Sequence, residues 1–377
     1  MASVQQALRT HGPAYVEKFG RRMPRVHQKV LAAIARCRTG ELGGVVYECD
    51  ACGHRHWVGR SCGNRHCPTC QHEKTAAWLE KQTQRLLPVH HFLVTVTVPE
   101  ALRMTLRANQ RAGYDALFDS GSGMIRELAT NPRFIGTSRI GFFGVLQTWG
   151  RDLATYHPHV HFIVPGGGVS EDGTQWLSSP TNFLFPESAA SIIYRAKFRD
   201  AMKAAGLYDS IDSRVWQQHW QVDVLPVADG RAALKYLAPY VFRVAISDNR
   251  IEHVTDTHVT YRYTPTGKRR SVTPEVTGEA FTRSFLQHVL PSRFQKVRHY
   301  GFWGSNCRTN FELVRMLVWF YVGWFYYLTS HRADPEPAPQ RDRPKCAKCG
   351  GVMRIVEVVY DNCRTLVEHS RKYLDSG

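Results

Sequence analysis

Hydrophobic and polar residues alternate with two different periods along the chain, and together they predict an α+β architecture. Residues 91–98 alternate β-branched and polar positions, which is typical of a strand. Two more strands are predicted at 142–149 and 156–164. Apolar residues recur at helical spacing in 188–205 and 230–242, and both segments are therefore predicted to be helices.

Changes in composition divide the chain into six segments. The segments are an N-terminal helical region of one or two basic amphipathic helices (1–36), a cysteine-rich module (37–85), a domain of alternating strands and helices (90–270), a C-terminal helical extension (271–332), a stiff, proline-rich polar linker (333–345) and a small cysteine-bearing tail (346–377). We expect each cysteine-bearing segment to be a small module, because neither has enough apolar residues for a core of its own.

The charge balance points to a polyanionic partner, and nucleic acid is the commonest one. The 377 residues carry a formal net charge of +17 and a pI near 9.6. The most apolar run, 316–328, is too short to span a bilayer, so we expect a buried or interface helix and no membrane contact. The N-terminus does not have the pattern of an export signal, which predicts a cytoplasmic, nucleoid-associated protein.

Cysteine spacing predicts structural zinc. Ten cysteines in a reducing compartment favour metal ligation over disulfides. Two Cys-x-x-Cys pairs in the first module are predicted to bind one Zn²⁺ together, and their residues are Cys49, Cys52, Cys67 and Cys70. Cys62 and His66 remain, with His54, His56 and Cys37 nearby, and they either build a second zinc site or stay solvated.

The tail contains a further Cys-x-x-Cys pair. Cys346 and Cys349 are followed by two glycines, which is the pattern of a zinc knuckle. This pair predicts a zinc ribbon in the tail, and the alternative is a spare thiol pair at the end of the chain.

The strand predicted at 156–164 carries candidate metal ligands. His159 and His161 are two residues apart, so their side chains lie on the same face of a strand. Two such imidazoles can share a divalent cation that polarises a phosphate. The alternative is a histidine-rich strand end that binds no metal.

The helix predicted at 230–242 carries candidate nucleophiles. Tyr236 and Tyr240 are four residues apart, which places them on one helix face, and a phenol can attack phosphorus to leave a covalent ester. Lys235 and Arg243 add charge that could pair with DNA phosphates. Core packing is the alternative role for such tyrosines, and Pro239 makes a regular helix less favourable here.

Four blocks in order carry a resemblance to a known family. They are the cysteine module, the strand Val94-Thr-Val-Thr-Val-Pro99, the motif His157-Pro-His-Val-His161 and the segment Lys235-Tyr-Leu-Ala-Pro-Tyr-Val-Phe-Arg243, and the later block 285–301 also fits. Together they resemble the rolling-circle transposases of bacterial insertion sequences, which are related to Helitron transposases. The resemblance implies a two-tyrosine HUH nuclease domain at 90–270, built on an antiparallel sheet flanked by helices, behind an N-terminal zinc-binding domain.

The resemblance gives the histidines a role. It implies that His159 and His161 bind a catalytic Mg²⁺ or Mn²⁺, and a third ligand should come from elsewhere. If the strands at 142–149 and 156–164 form a hairpin centred near residue 153, Gln147 faces the histidine pair. We therefore favour Gln147 as the third ligand, with Asp152 as the alternative.

The resemblance also gives the tyrosines a role. It implies that Tyr236 and Tyr240 attack phosphates of single-stranded DNA at transposon ends and at the target. Each attack would leave a 5′-phosphotyrosine and a 3′-hydroxyl, so the energy of the broken bond is kept for rejoining. The sequence has no P-loop, so strand separation is expected to come from elsewhere.

Three other functions remain open at this stage. A replication initiator or relaxase would share the metal and tyrosine chemistry. A zinc-dependent DNA-binding protein without enzymatic activity would explain the charge and the cysteines alone. A metal-dependent hydrolase would cleave DNA without a covalent intermediate.

Overall fold

The computed structural model describes residues 2–242, 245–305, 307, 310–323, 344–360 and 363–366. The helices are α1 Val4–Phe19, α2 Arg25–Ala35, α3 His72–Arg85, α4 Arg103–Ala108, α5 Gln110–Ala129, α6 Glu187–Ala204, α7 Arg231–Phe242, α8 Gly278–Leu286 and α9 Phe311–Val322. The strands are β1 Gly44–Cys49, β2 Arg55–Gly59, β3 His91–Thr97, β4 Gly141–Trp149, β5 Tyr156–Pro165, β6 Gly167–Val169, β7 Trp176–Ser178, β8 Val222–Pro226, β9 Ile251–Val254, β10 His258–Tyr261, β11 Glu275–Thr277, β12 Val297–Gly301, β13 Met353–Tyr360 and β14 Cys363–Leu366.

A five-stranded antiparallel sheet forms the centre of the molecule, in the order β12-β4-β5-β3-β8. The three strands predicted from alternation correspond to β3, β4 and β5, and the two predicted helices correspond to α6 and α7. The α+β prediction with a helix-flanked antiparallel sheet is therefore confirmed. The edge strand β12 comes from the segment after residue 270, so the sheet extends beyond the predicted nuclease segment.

The two faces of the central sheet pack against different helices. One face is mostly apolar, and its residues, such as Val94, Val160 and Phe162, lie in a core shared with α5 and α6. Leu93 and Ile163, on the opposite face, belong to a second core with α7 and α9. Since side chains alternate along a strand, this second face also carries the polar side chains of the candidate site.

The N-terminal region folds as α1 and α2, in agreement with the predicted amphipathic helices. Val4, Leu8 and Ile34 pack with Phe281 and Phe285 of α8 in a third core. This core also includes residues of the three-stranded sheet β11-β10-β9. The segment after β8 is therefore attached to the beginning of the chain.

A four-stranded sheet, β14-β13-β1-β2, brings the two ends of the chain together. The tail strand β13 pairs antiparallel with β1, and Cys49 lies opposite Met353. The cysteine-bearing tail is thus part of the same small sheet as the N-terminal module.

The apolar run at 316–328 begins in α9, whose Val314, Leu317 and Val318 are buried, whereas Phe320 is 64% exposed. Residues 324–328 lie outside the described part of the chain. Among the described residues, no helix combines the length and the apolar character that a bilayer span requires.

Candidate active site and cysteine clusters

The candidate metal ligands lie on adjacent strands of the central sheet. In the β4–β5 hairpin Gln147 is directly opposite His159, which confirms the predicted register about residue 153. On the other side of β5, Thr95 of β3 is directly opposite His161. The two histidine rings are only 4.8 Å apart between centroids, so they converge more closely than their spacing along the strand requires.

Hydrogen bonding fixes the orientation of His159. Its Nδ1 atom donates to the main-chain oxygen of His157 at 2.7 Å, since a carbonyl oxygen can only accept. In a neutral imidazole the Nε2 atom then has a lone pair, and it faces Oε1 of Gln147 at 3.1 Å. Two facing acceptors are unfavourable, and a bound cation would satisfy both. If the oxygen and nitrogen of the Gln147 side-chain amide exchanged places, Gln147 would donate to Nε2 of His159, which would suit the metal-free state.

His161 is held by a hydroxyl group. Thr95 Oγ1 lies 2.8 Å from Nδ1 of His161, and both residues are buried. The other ring nitrogen, Nε2, is buried without a hydrogen-bond partner among the described residues, as is Nε2 of Gln147. A ligating histidine is commonly oriented in this way, with one nitrogen hydrogen-bonded and the other left for the metal. The residues present therefore fit a divalent ion.

Burial keeps the three histidines of the motif neutral. Desolvation lowers the pKa of His161 to about 4, and it holds the pKa of His159 well below its usual range. The pKa of His157 is also lowered, again mainly by burial. Neutral imidazoles keep the lone pairs that metal ligation requires at neutral pH.

Helix α7 brings a tyrosine to the same place. Leu234 and Leu237 of α7 are buried against the sheet, whereas Tyr236 is 49% exposed. The ring of Tyr236 meets the ring of His161 edge to face, with 6.0 Å between centroids. The helix continues to Phe242 with Pro239 inside it, so the proline does not end it. Tyr240 lies one turn after Tyr236, and its side chain is outside the described part of the structure.

A cavity of about 810 Å³ opens at this point. Gln147, His157, His159 and Tyr236 line it. Residues within 245–250 and 262–271 form a further part of its wall, and the sequence analysis predicted none of them as a metal ligand or nucleophile. These residues come close only through the tertiary fold, and no local motif marks them.

Arg250 and Arg262 belong to this further part of the wall. Arg250 donates to the main-chain oxygens of Arg151 and Arg262, each at 2.8 Å, so it holds the wall together. Arg262 lines the cavity, and its Nε atom lies 3.5 Å from a carboxylate oxygen of Glu252. The wall therefore adds positive charge beside the histidines and the tyrosine.

The structure also gives the positions of Asp152 and Lys235. Asp152 is in the β4–β5 turn, where its carboxylate accepts from Tyr261 Oη at 2.7 Å and from the main-chain nitrogen of Ala154 at 3.0 Å. These bonds engage it away from the histidine face, which leaves Gln147 as the better candidate ligand. Lys235 is exposed on α7, and Arg243 lies outside the described residues.

The cysteines form two clusters, and the predicted grouping is wrong. One cluster contains Cys37, Cys62, Cys67 and Cys70, and the other contains Cys49, Cys52, Cys346 and Cys349. The pairs 49/52 and 67/70 thus belong to different clusters, because β1 leads the first pair towards the tail strand β13.

His66 does not join either cluster. It is buried, and its Nε2 atom accepts a hydrogen bond from the main-chain nitrogen of Leu290 at 3.1 Å. Cys37, which the sequence analysis named beside Cys62 and His66 for a possible second zinc site, does share a cluster with Cys62. It is completely buried, and its sulfur lies 3.4 Å from that of Cys70. Cys37 lies 25 residues before Cys62, so local spacing did not assign it to a particular pair.

Comparisons with known proteins agree with this arrangement. A family described as "Transposase zinc-binding domain" matches residues 7–98, and one described as "Putative transposase" matches residues 141–310. The protein described as "Putative transposase y4qJ" of Sinorhizobium fredii is 37% identical over 81% of this chain and 81% of its own length. The transposase for insertion sequence element IS801 of Pseudomonas savastanoi pv. phaseolicola is 27% identical over 74% of this chain and 70% of its own length. No solved structure matches the chain.

The class of protein is thus a transposase with a zinc-binding domain, as the motif order predicted. The chain belongs to the rolling-circle transposases of bacterial insertion sequences, the family of the IS91 and IS801 elements. Membership supports DNA as the partner and zinc as a structural ion, and both predictions were made from the residues.

Proposed function

We propose that this transposase cleaves and rejoins single-stranded DNA through a 5′-phosphotyrosine intermediate, with Tyr236 and Tyr240 as nucleophiles. One observation carries the proposal: Gln147, His159 and Tyr236, from three different elements, line a single cavity, and His161 contacts the tyrosine ring. A nucleophile beside a candidate metal site is the arrangement that phosphoryl transfer needs.

His159, His161 and Gln147 would hold a Mg²⁺ or Mn²⁺ ion. When bound, such an ion withdraws charge from a phosphate and so favours attack at phosphorus. Thr95 keeps the ring of His161 in place, and the oxygen of His157 does the same for His159. The low pKa of both histidines supports ligation by neutral rings at neutral pH.

Cleavage and rejoining of the DNA consume neither water nor a nucleotide cofactor. The phenolic oxygen of Tyr236 forms a bond to phosphorus, and the bond from phosphorus to the 3′ oxygen breaks. The phenol loses its proton, and the departing 3′ oxygen gains one to become a hydroxyl. A later attack by a 3′-hydroxyl on the phosphotyrosine reverses these changes and joins two strands.

The charges around the cavity fit a phosphate backbone. Lys235 is exposed next to Tyr236, and Arg262 lines the cavity. Lys268, Arg269 and Arg270 are exposed in the loop that continues from this wall. We propose that Lys235, Arg243 and this loop contact the DNA strand on either side of the scissile phosphate. Replacement of Arg262 and the three loop cations by alanine should weaken binding and reduce its salt dependence.

A denaturing-gel assay tests the proposed chemistry. Purified protein is incubated with labelled single-stranded DNA from the ends of its element and with Mg²⁺ or Mn²⁺. We expect a covalent adduct that disappears in the double variant Tyr236→Phe and Tyr240→Phe, and in His159→Ala with His161→Ala. Tyr208→Phe is a matched control, since Tyr208 stacks on Trp216 away from the cavity.

The same assay separates the alternatives. Cleavage that survives loss of both tyrosines would indicate a hydrolase, and normal binding without any adduct would indicate a DNA-binding protein. Trypsin should release residues 236–243 as one peptide, because Lys235 precedes it and Arg243 ends it. Fragmentation of the adduct-bearing peptide then shows which tyrosine carries the DNA.

A further inference from the structure

The cluster of Cys49, Cys52, Cys346 and Cys349 joins the N-terminal module to a tail some 300 residues later in the chain. The matched zinc-binding family covers residues 7–98, and the transposase family covers 141–310, so neither includes the tail pair. We propose that these four cysteines form a second structural zinc site that fastens the two ends of the chain together.

The distances between sulfur atoms fit one tetrahedral ion. Cys49 Sγ lies 3.4 Å from Cys349 Sγ, and Cys52 Sγ lies 3.8 Å from Cys346 Sγ. Cys349 Sγ is also 3.4 Å from Cys52 Sγ. A zinc–sulfur distance of about 2.3 Å places the sulfurs of a tetrahedral site about 3.8 Å apart. The separations are much longer than a disulfide bond of about 2.0 Å, so the four thiols converge without bonding to each other.

Both cysteine pairs adopt the same tight turn. After each second cysteine comes a glycine with positive φ, +69° at Gly53 and +75° at Gly350. Their main-chain nitrogens donate back to the oxygens of Cys49 and Cys346, at 3.0 and 2.8 Å respectively. A left-handed residue at this point favours glycine, and it brings the two sulfurs of each pair to one side.

The surrounding strands hold the two turns opposite each other. The nitrogen of Asp50 donates to the oxygen of Val352 at 3.0 Å, which continues the β1–β13 ladder into the turn. Arg354 of β13 lies 3.1 Å from a carboxylate oxygen of Asp50 and 3.3 Å from one of Glu48. These contacts are exposed and individually weak, so they align the two pairs more than they stabilise them.

The local core is too small to hold this sheet by itself. Its buried residues are Cys49, Cys346 and Met353, with Tyr47 partly buried beside them. Modules with so little apolar burial depend on a metal or a disulfide for their stability. The zinc ion would therefore supply the stabilisation that the apolar contacts of β1 and β13 do not provide.

Zinc content per chain tests the proposal. Mass spectrometry of the purified full-length protein should find two zinc ions per chain, one for each cluster. The double variant Cys346→Ser and Cys349→Ser should retain one. Cys307→Ser is the matched control and should retain two, because this half-buried cysteine belongs to neither cluster. One zinc ion in the wild type, or two in the tail variant, would overturn the proposal.

Combined variants check which pairs share an ion. If the tail pair acts with the first N-terminal pair, replacing 49/52 together with 346/349 costs one ion in total. Replacing 67/70 together with 346/349 costs two. The grouping predicted from spacing alone, with 49/52 and 67/70 on one ion, gives the same loss for both combined variants.

A measurement on the wild type remains informative if the variants fail to fold. Alkylation by N-ethylmaleimide followed by peptide mapping should show Cys346 and Cys349 protected, and a chelator should expose them together with Cys49 and Cys52. Equal alkylation of the tail pair before and after chelation would overturn the proposal.

Discussion

The central sheet and the small sheet at the chain ends both gather candidate metal ligands, but they are held together by different forces. His159 and His161 lie on a strand whose other face packs into a large apolar core that includes Phe118 and Phe162. Among the described residues, the core of the small sheet contains three buried side chains, two of which are cysteines. A ligand set on a well-packed sheet is positioned before any metal arrives, whereas in the small sheet metal binding and folding are the same event.

The comparison predicts that removing metal unfolds the small sheet but leaves the central sheet folded. A strong chelator should unfold the small sheet, because structural zinc in minimal modules is worth on the order of 10 kcal/mol. Strands β3, β4 and β5 should keep their structure, since apolar burial rather than metal stabilises them. Hydrogen exchange read by mass spectrometry should show loss of protection at β1, β2 and β13, with protection retained at β3, β4 and β5.

A matched control for this experiment is chelator saturated beforehand with zinc, which should change the exchange of neither sheet. Equal loss of protection in β3–β5 and in β1–β2 would break the comparison. It would mean that the cysteine clusters stabilise the whole molecule rather than their own module. The double variant Cys346→Ser and Cys349→Ser should cause the same loss of protection in the small sheet without affecting metal at the histidines.

The site on the central sheet was predictable because its ligands are close in sequence or related by a simple register. His159 and His161 share a face by the two-residue period of a strand. Gln147 followed from the assumption of a hairpin about residue 153, and the strand pairing bears out that register. Tyr236 followed from helical spacing together with a family resemblance, and the sheet and α7 bring it to His161.

The cysteine grouping was not predictable in the same way. Three Cys-x-x-Cys pairs can be combined on shared ions in several ways, and spacing favours neighbours in sequence. The pairing of β1 with β13 determines the actual partners of Cys49 and Cys52, and no local sequence pattern predicts that pairing. That residues within 245–271 line one cavity with the histidines was not predictable for the same reason, since the two regions meet only through the tertiary fold.

A smaller effect is expected from the contact that orients His161. Thr95→Val removes the hydroxyl group next to Nδ1 but keeps the shape of the side chain. Loss of such an orienting partner typically weakens metal binding by about 10- to 100-fold. The concentration of Mn²⁺ that gives half-maximal adduct should rise by this factor, whereas Thr95→Ser should behave like the wild type. An unchanged midpoint in the valine variant would show that packing alone orients the ring.

The smallest expected effect is a loss of folding stability at acidic pH, caused by buried histidines of the central sheet. His91, the first residue of β3, is fully buried, and burial lowers its pKa to about 4. Above pH 6.5 the residue is neutral in both the folded and the unfolded chain, so it then has no effect. As the pH falls from 6.5 towards 4, the unfolded chain takes up a proton that the folded chain does not, and stability is lost. At pH 5.5 this loss is about 1.4 kcal/mol.

His91→Leu should therefore reduce the drop in melting temperature between pH 7 and pH 5.5. His219→Leu, which changes an exposed histidine, should not reduce it. Equal drops in both variants and the wild type would place the acid sensitivity in the cysteine clusters, whose thiolates also take up protons as they release zinc.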